Sequence, residues 1–469
     1  MDVDQEKKKG EVDYTALDKD IASFVELAKK DLHAGIEGLL SLERTQRTAE
    51  ALEGTRRCCS AILDACFAKK DWKQLNDSIT ALSKRRGQLK NAIVAFVRQA
   101  MDYVSQLPDE PTQVELIETL LAITAGKIFV EIERARLVKR LAHMKEAKGD
   151  VEAAADLIQE VPVETFGAMH RTEKVAFILE QVRLCLDRGD PTRAQILSKK
   201  ISPMAFKVGK GSEQQFGIEG TAIQAAAEGT PPLQELRVIY YQLMMRFHGH
   251  HNDYLEVARC LLAIMEDETI AADAARWKPL LKQTAWYLAL APATVEQRTL
   301  MASTTADRKL KDLPVHREML AAFTTQEICA QESFAARFGA AMEEETEIFA
   351  GEAGPKRRED LKLRLVEHNI LVVAKYYSRV TLQRLSVLLS LTPAEVEKHL
   401  ADMVTGGAVT AKIDRPTGVV RLATSRQPQE LLNEWAGNVA KVLDVVERAC
   451  QSIAKECMQH KVSLPSMPA

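Results

Sequence analysis

One stretch, TLQRLSVLLSLTPAEVEKHLADMVTGGAVTAKIDRPTGVVRL (Thr381–Leu422), decides the fold of the C-terminal part of the chain. Leucines recur at helical spacing in Leu382–Leu389, which predicts a short helix with one buried face. A second helix should begin at Pro393, because Thr392 can cap it and Glu395 completes a capping box. The residues expected to face inward on this second helix are Val396, Leu400, Met403 and Val404.

A two-stranded hairpin is predicted after the second helix. Gly406 and Gly407 end that helix, and apolar residues then alternate with polar ones on both sides of a turn at 414–418 that contains proline and glycine. Helix, helix and hairpin in this order are the layout of a winged helix, which many DNA-binding proteins use. The charge of the second helix therefore decides which kind of ligand the module can take.

This second helix is acidic. It carries Glu395, Glu397 and Asp402 against Lys398, with His399 mostly neutral. Because the phosphates of a duplex would repel such a face, we expect a protein-docking module that binds no nucleic acid, and a winged-helix nucleic-acid binder is the alternative of another class. The wing can offer a strand edge to a neighbouring protein. The interface residues predicted on the wing strands are Val409, Ala411, Ile413, Val420 and Leu422.

The composition is that of an ordinary globular protein. The chain has 469 residues, 46% hydrophobic and 28% charged, and its formal net charge of -3 gives no general attraction to nucleic acid or membranes. We expect no membrane span, since no apolar stretch approaches about 20 residues. Residues 1–12 are charged, which predicts a disordered tail and no signal peptide. Eight scattered cysteines form no CxxC pair, as suits the reducing cytoplasm and nucleus.

Residues 13–342 predict a succession of helices whose joints repeat. The segments AKKDWKQLNDSI, AKGDVEAAADLI, DRGDPTRAQILS and HHNDYLEVARCL each place an aspartate where it can cap a helix. Two of these aspartates, Asp150 and Asp190, lie 40 residues apart. A period of this length is typical of a solenoid of helical hairpins, and an irregular helical bundle is the alternative. The residues four positions after each aspartate are expected to face inward: Leu75, Ala154, Ala194 and Val257.

Two segments interrupt the helical pattern. Residues 207–232 are rich in glycine and polar residues, which predicts a flexible insertion. Residues 343–359 change from an acidic run to a Gly/Pro turn and a basic cluster, and we interpret them as a linker. The winged helix is then expected at 360–424, and a terminal helix at 428–460.

The terminal helix has apolar residues in alternating steps of three and four. This pattern is a heptad seam, which requires partner helices. One interpretation is a helix that packs back on its own chain. The period of about 3.5 residues favours a helix that enters an intermolecular bundle. The predicted interface residues of this seam are Leu432, Trp435, Val439, Val442, Val446, Ala449 and Ile453.

The sequence contains no complete catalytic or metal-binding motif. FHGHHND (Phe247–Asp253) has the HxH spacing of metal-dependent deubiquitinases, but Ala258 and Leu261 stand where that motif needs serine and aspartate. Gly209 and Lys210 lack the other residues of a phosphate-binding loop. We therefore predict no catalytic residues, no metal and no cofactor. The mixed glutamates and arginines at 127–142 are interpreted as a solvated helix face.

Helical repeats, a winged helix and a terminal bundle helix together resemble the PCI-domain family. More narrowly, LSKRRGQLK, GKIFVEIERARL, VEHNILVVAKYYSRVTLQRL, AKIDRPTG and LLNEWAGN are similar to the family of non-ATPase subunit five of the proteasome regulatory-particle lid. The similarity extends over about 12–455 and departs at 207–232, where that family implies a short connection.

This resemblance implies a mostly α fold: a helical-hairpin, TPR-like solenoid, then a winged-helix PCI module and a long C-terminal bundle helix. It also implies a non-catalytic scaffold that supports ubiquitin-dependent protein degradation within a hetero-oligomer. The implied partners are other PCI-domain lid subunits, the lid's metal-dependent deubiquitinase subunit and the outer ring of the core particle, without a membrane. PCI scaffold subunits of the signalosome or of a translation-initiation complex share this layout and are the nearest alternative.

Overall fold

The structure is a computed structural model that describes residues 14–202, 206, 223–351, 353–423 and 428–461. The chain divides into two units, Met1–His251 and Asn252–Ala469. Helices make up most of the described residues of both units, and the second unit also contains a three-stranded sheet. The predicted mostly α fold with a winged-helix module is therefore confirmed.

Helices joined by short turns build the first unit. In the described residues they are α1 (Thr15–Lys30), α2 (Leu32–Thr48), α3 (Leu52–Lys69), α4 (Trp72–Lys84), α5 (Lys90–Gln106), α6 (Glu110–Thr124), α7 (Glu131–Ala147), α8 (Val151–Gln159), α9 (Arg171–Arg188), α10 (Pro191–Ser198) and α11 (Leu233–His251). Neighbours pack as hairpins, among them α2 with α3, α7 with α8 and α9 with α10. Their apolar faces form two hydrophobic clusters, one mainly from α2 to α6 and one mainly from α7 to α11.

Aspartates begin several of these helices, as the repeated joints predicted. Asp71, Asp150 and Asp190 each accept the backbone N–H of the residue three positions later, at 3.0–3.1 Å. These bonds satisfy a donor that has no partner within the helix. The residues four positions after the aspartates are buried, including the one in the second unit: Leu75, Ala154, Ala194 and Val257. Each joint thus fixes both the start of a helix and the face that packs against its neighbour.

The charged residues of α7 do not form a solvated face, so that prediction is wrong. Glu133 is 1% exposed and accepts a hydrogen bond from Nε of Arg98 on α5 at 2.8 Å. Arg136 pairs with Glu173 on α9. Because α7 packs between other helices of the unit, its charges find partners on those helices rather than along its own surface.

The predicted insertion at 207–232 is described only in part, since residues 207–222 lie outside the described residues. The part that follows is held against α9 and α7. The carbonyl oxygen of Ala225 accepts from Nη2 of Arg136 at 3.1 Å, and the backbone N–H of Ala227 donates to Glu173 at 3.3 Å. These bonds position the chain just before α11 begins.

In the second unit, the helical part continues with α12 (Tyr254–Met265), α13 (Glu268–Ala272), α14 (Ala274–Leu290), α15 (Val295–Ala306), α16 (Pro314–Thr324), α17 (Gln331–Glu344), α18 (Thr346–Phe349) and α19 (Gly354–Tyr376). The segment 343–359, expected as a linker, is therefore largely helical. Its apolar residues explain this difference, because Ile348 and Phe349 are buried and Phe349 packs edge-on against Trp286 with ring centroids 5.1 Å apart. A linker would leave these side chains in water.

The winged helix follows α19. It consists of β1 (Arg379–Thr381), α20 (Leu382–Leu389), α21 (Pro393–Thr405), β2 (Thr410–Asp414) and β3 (Val419–Ala423), and the strands form an antiparallel sheet in the order β1-β3-β2. The predicted capping box of Thr392 and Glu395 is present at the start of α21. Val396, Leu400 and Met403 are buried as expected, whereas Val404 is exposed and lies at the last turn of the helix.

The last described element is α22 (Pro428–His460), a helix of 33 residues. At 1.5 Å per residue it is roughly 50 Å long, which is longer than a winged-helix domain needs to cover its own core.

Candidate protein-docking surfaces

An apolar stripe follows one side of α22 and is open to solvent. Trp435, the largest side chain of the predicted seam, is 67% exposed, and Val446 is 50% exposed. All seven seam residues are exposed in the isolated chain: Leu432, Trp435, Val439, Val442, Val446, Ala449 and Ile453. Large contiguous apolar surfaces of this kind are typical of protein interaction sites.

The stripe contains more residues than the predicted seam. At about 100° per residue, Leu431, Leu443 and Cys450 fall within about 60° of Val446 around the helix axis. All three are exposed. A stripe this broad is typical of a helix surrounded by several others, whereas a two-stranded coiled coil has a narrower seam. The strict count of steps of three and four missed these residues, and a full angular projection of the sequence would have found them.

The opposite side of α22 is polar. Asp444 and Arg448 form an ion pair one turn apart, and Lys441 and Gln451 lie on the same side. The helix therefore has one face suited to water and one that requires cover. Its sequence specifies both the helix and the direction from which a partner has to approach.

The side chains predicted as a wing interface lie mostly inside the winged helix. Val409, Val420 and Leu422 are buried in its hydrophobic core, while Ala411 and Ile413 are partly buried against that core. The alternation found in the sequence therefore marks the inner face of the sheet. A wing contact would instead use the backbone of β2, which pairs only with β3 among the described strands and so leaves one edge open.

The acidic surface of α21 is partly neutralised by the wing. Nη2 of Arg415, in the turn between β2 and β3, lies 2.7 Å from Oε1 of Glu397. Glu395 is engaged by Thr392 in the capping box. In a DNA-binding winged helix, the helix equivalent to α21 would enter the groove. Here α21 presents no surplus of cations.

Among the described residues, one group has side chains placed closely enough to hold a metal ion: His143, Glu146 and Glu180, whose ligand atoms lie within 4.8 Å of one another. Arg183 occupies this group, with Nη1 at 2.6 Å from Glu146 and Nη2 at 2.5 Å from Glu180. Its hydrogen bonds hold the pKa of Glu146 below the usual range. A guanidinium that already neutralises both carboxylates makes this group an ion-pair cluster, not a metal centre.

The cysteines of α3 are suited to packing rather than to nucleophilic chemistry. Burial raises the pKa of the Cys58 thiol to about 11 and that of Cys59 to about 12. Since the thiolate is the reactive form, these residues remain protonated and inert at neutral pH. All eight cysteines of the chain are free thiols.

None of the helices in the described ranges is both long enough and apolar enough to cross a membrane.

Comparisons with known proteins match nearly the whole chain. Three family models fit consecutive regions: the N-terminal region of PSMD12/CSN4 at residues 34–273, the PCI domain at 331–423, and the C-terminal domain of the 26S proteasome regulatory subunit RPN5 at 429–461. The chain is 48% identical over 434 residues to the 26S proteasome non-ATPase regulatory subunit 12 homolog A of Arabidopsis thaliana, which covers 92% of this chain and 98% of that protein.

A yeast relative shows similar coverage at lower identity. The 26S proteasome regulatory subunit RPN5 of Saccharomyces cerevisiae is 34% identical over 455 residues, or 96% of this chain and 97% of that protein. The COP9 signalosome complex subunit 4 of Drosophila melanogaster is 21% identical over 352 residues, or 75% of this chain and 78% of that protein.

Proposed function

Because the chain belongs to the family of the 26S proteasome non-ATPase regulatory subunit 12, or RPN5, we propose that it is a non-catalytic scaffold of the proteasome regulatory-particle lid. In that role it supports ubiquitin-dependent protein degradation in the cytoplasm and nucleus by holding other subunits in place. The observation that carries this proposal is the exposed apolar stripe of α22, which lies in the region that matches the RPN5 C-terminal domain.

The stripe supplies the driving force for assembly. Full burial of a valine or leucine side chain contributes about 1.5–3 kcal/mol relative to water. With seven or more such positions on one helix, burial in a bundle would contribute on the order of 10 kcal/mol, which is enough to offset a large part of the entropy lost on association. Left uncovered, the same surface would favour aggregation.

The winged helix supplies a second kind of contact. The open edge of β2 can pair with a strand of a neighbouring PCI module, so that main-chain hydrogen bonds give affinity without a dedicated pocket. We propose that other PCI-domain subunits of the lid occupy this edge. The lid's metal-dependent deubiquitinase subunit and the outer ring of the core particle are the further partners that the family implies.

A non-catalytic role is supported by the chemistry of the titratable groups. The candidate metal group is filled by Arg183, and the thiols of α3 are held in the protonated form. These observations support a function that depends on docking surfaces rather than on a reaction centre.

Affinity purification of the full chain tests the proposal. The tag belongs at the N-terminus, because α22 has to remain free to enter a bundle. We expect proteasome lid subunits to co-purify in equal amounts with the chain. Recovery of signalosome or translation-initiation subunits without lid subunits would overturn the proposal in favour of a related assembly, and recovery of the chain alone would overturn the scaffold function itself.

A further inference from the structure

Three cations lie side by side across the outer face of the winged-helix sheet. In the strand register, Arg379 of β1 and Lys412 of β2 are both directly opposite Arg421 of the central strand β3. All three residues are exposed, whereas Val380 and Val420, the next residues along β1 and β3, face the core. We refer to Arg379, Arg421 and Lys412 as the basic row.

Within the described residues, the cations of the basic row have no ion-pair partner. This distinguishes them from Arg415 in the neighbouring turn, which pairs with Glu397 at 2.7 Å. Asp414 lies two positions after Lys412 on β2 and therefore on the same face of the sheet. It is opposite Val419, however, and forms no ion pair with the row. Like charges directly opposite one another destabilise a sheet. The free chain therefore keeps an unfavourable arrangement that a negatively charged partner would relieve.

An aromatic residue lies close to the row in the chain. Tyr377 has an extended backbone with φ of −114° and ψ of 128°, and it precedes Arg379 by two positions, just before a bend at Ser378. Its side chain is 43% exposed. Tyrosine and arginine are enriched at protein interfaces, where a large ring and a planar guanidinium both provide contact area.

We infer that the basic row, together with the nearby Tyr377, docks an acidic segment of a neighbouring subunit. This inference rests on the proposed scaffold function, which supplies the neighbouring subunit. The docking surface is the outer face of the sheet, and it is distinct from both α22 and the backbone edge of β2. Adjacent strands lie about 4.8 Å apart, so the row is about 10 Å long. Alternate carboxylates of an extended segment are about 7 Å apart, which lets two of them contact the row at once.

The surroundings of the row favour a protein over a nucleic acid. A duplex needs many phosphate contacts for useful affinity at physiological salt, and this face offers three cations. The same module carries the acidic helix α21, with Glu397 and Asp402. An acidic peptide segment can be short enough to contact the row without approaching that helix.

Lysine reactivity in the assembled complex tests the inference directly. The complex recovered with the tagged chain would be treated with an acetylating reagent, and in parallel with a zero-length carbodiimide that joins lysine amines to carboxylates. We expect Lys412 to acetylate at least about tenfold more slowly in the complex than in the free chain, since a salt-bridged amine in an interface is shielded. We also expect a cross-link from Lys412 to an aspartate or glutamate of another subunit.

Two outcomes of the Lys412 acetylation test would overturn the inference. If Lys412 acetylates at the same rate in the complex and in the free chain, the inference is overturned while the scaffold function stands. Protection that disappears after nuclease treatment would overturn it in favour of nucleic acid. Failure of the proposed function is recognised separately, because lid subunits would then be missing from the purification, and the same lysine test would be applied to whichever assembly is recovered.

Charge reversal provides an independent measurement. Arg421→Glu should weaken incorporation into the complex by about tenfold in competition with the unmodified chain. Lys398→Glu is the matched control, because it changes the charge equally at an exposed position of α21 in the same module. This variant should compete nearly normally. Equal effects of the two variants would show a general charge effect and would overturn the inference.

The free chain offers a last check. Arg421→Thr removes the central charge and should raise the unfolding midpoint of the isolated chain, because it relieves repulsion with Arg379 and Lys412. A lower midpoint for this variant would mean that the row is not under electrostatic strain, and it would contradict the inference.

Discussion

Arg136 and Glu173 join two helices of the first unit through a bidentate ion pair, with Nε at 2.7 Å from Oε1 and Nη2 at 2.8 Å from Oε2. The two residues are 37 positions apart, close to the length of one helical repeat. Glu173 is 7% exposed, and the same pair also holds the chain segment before α11 through Ala225 and Ala227. A single arrangement thus links two hairpins and the chain segment that precedes α11.

We predict that Arg136→Met destabilises the free chain by about 2 kcal/mol, because it leaves the Glu173 carboxylate buried without its cation. Urea unfolding followed by circular dichroism measures this change. Limited proteolysis should also show faster cleavage within residues 223–232, since one of their hydrogen-bond partners is removed.

Two controls separate this pair from charge in general. Arg188→Met removes an exposed ion pair with Asp156 and should change stability little. The double substitution Arg136→Met with Glu173→Leu should recover much of the loss, because an apolar pair replaces the buried charge. If the double variant were no more stable than Arg136→Met alone, burial of the unpaired carboxylate would not be the cause.

His316 gives the second unit a dependence on pH. It is 5% exposed and packs edge-on against Trp286 with ring centroids 6.1 Å apart. Burial lowers the pKa of His316 to about 4, with a smaller contribution in the same direction from Lys282 and an opposing one from Glu344. Because the unfolded chain takes up this proton more readily, the stability present above the unfolded pKa of about 6.5 is lost as pH falls toward 4.

We predict that His316→Phe removes about 2 kcal/mol of the stability difference between pH 7.5 and pH 5, a value that follows from the two pKa values of the histidine. Urea unfolding at both pH values measures it. His33→Phe, at an exposed position of α2, controls for the loss of one imidazole. An unchanged difference between the two pH values in His316→Phe would rule out this histidine as the origin.

In the capping box of α21, the side chain of Thr392 is predicted to contribute about 1 kcal/mol to the free energy of unfolding. The Thr392 hydroxyl accepts from the backbone N–H of Glu395 at 3.4 Å, and Glu395 accepts from the backbone N–H of Thr392 at 3.0 Å. Thr392→Ala should therefore lower the free energy of unfolding by this amount, while Thr392→Ser keeps the hydroxyl and should lose much less. Similar losses in the two variants would show that the hydroxyl is not responsible.

The same box has a pH dependence of known sign. Hydrogen bonds from Thr392, first of all from its backbone N–H, lower the pKa of Glu395. A lowered carboxyl pKa contributes stability above the unfolded value of about 4.3, and this contribution is lost as pH falls through the folded value. Glu395→Gln should lack this contribution at neutral pH. The free energy of unfolding should therefore fall less between neutral and acidic pH in this variant than in the unmodified chain.

The winged helix could be predicted from the sequence because its signals are local. A cap, a proline and a glutamate three positions after the cap all lie within one turn, and the glycines and the alternating strands follow at once. The aspartates at the helical joints are local in the same sense. Each signal needs only its own neighbours to act, so one sequence is enough to find it.

Other features depend on residues far apart in the chain. The partners of Glu133 and Arg136 lie 35 and 37 positions away, and helical spacing along α7 pointed to the wrong ones. The basic row was missed for the same reason, because Arg379 meets Arg421 only after the sheet has formed. The wing residues chosen as an interface show the reverse error, since an alternating pattern gives two faces and does not say which one a partner covers.

The stripe of α22 leads to the prediction most relevant to function. Val446→Asp places a carboxylate at its centre, where burial in a bundle without a partner would cost several kcal/mol. We therefore expect this variant to fail to enter the complex while the free chain keeps its unfolding midpoint, because Val446 is 50% exposed there and supports no core.

Gln451→Asp is the matched control for Val446→Asp. It adds the same charge about 140° around the helix, and we expect it to assemble normally. Native mass spectrometry of the purified assemblies, with unfolding of each free chain measured alongside, distinguishes these outcomes. Normal incorporation of Val446→Asp would show that this side of α22 stays in water within the assembly, and the wide apolar stripe would then have to be covered by some other segment or serve no docking role.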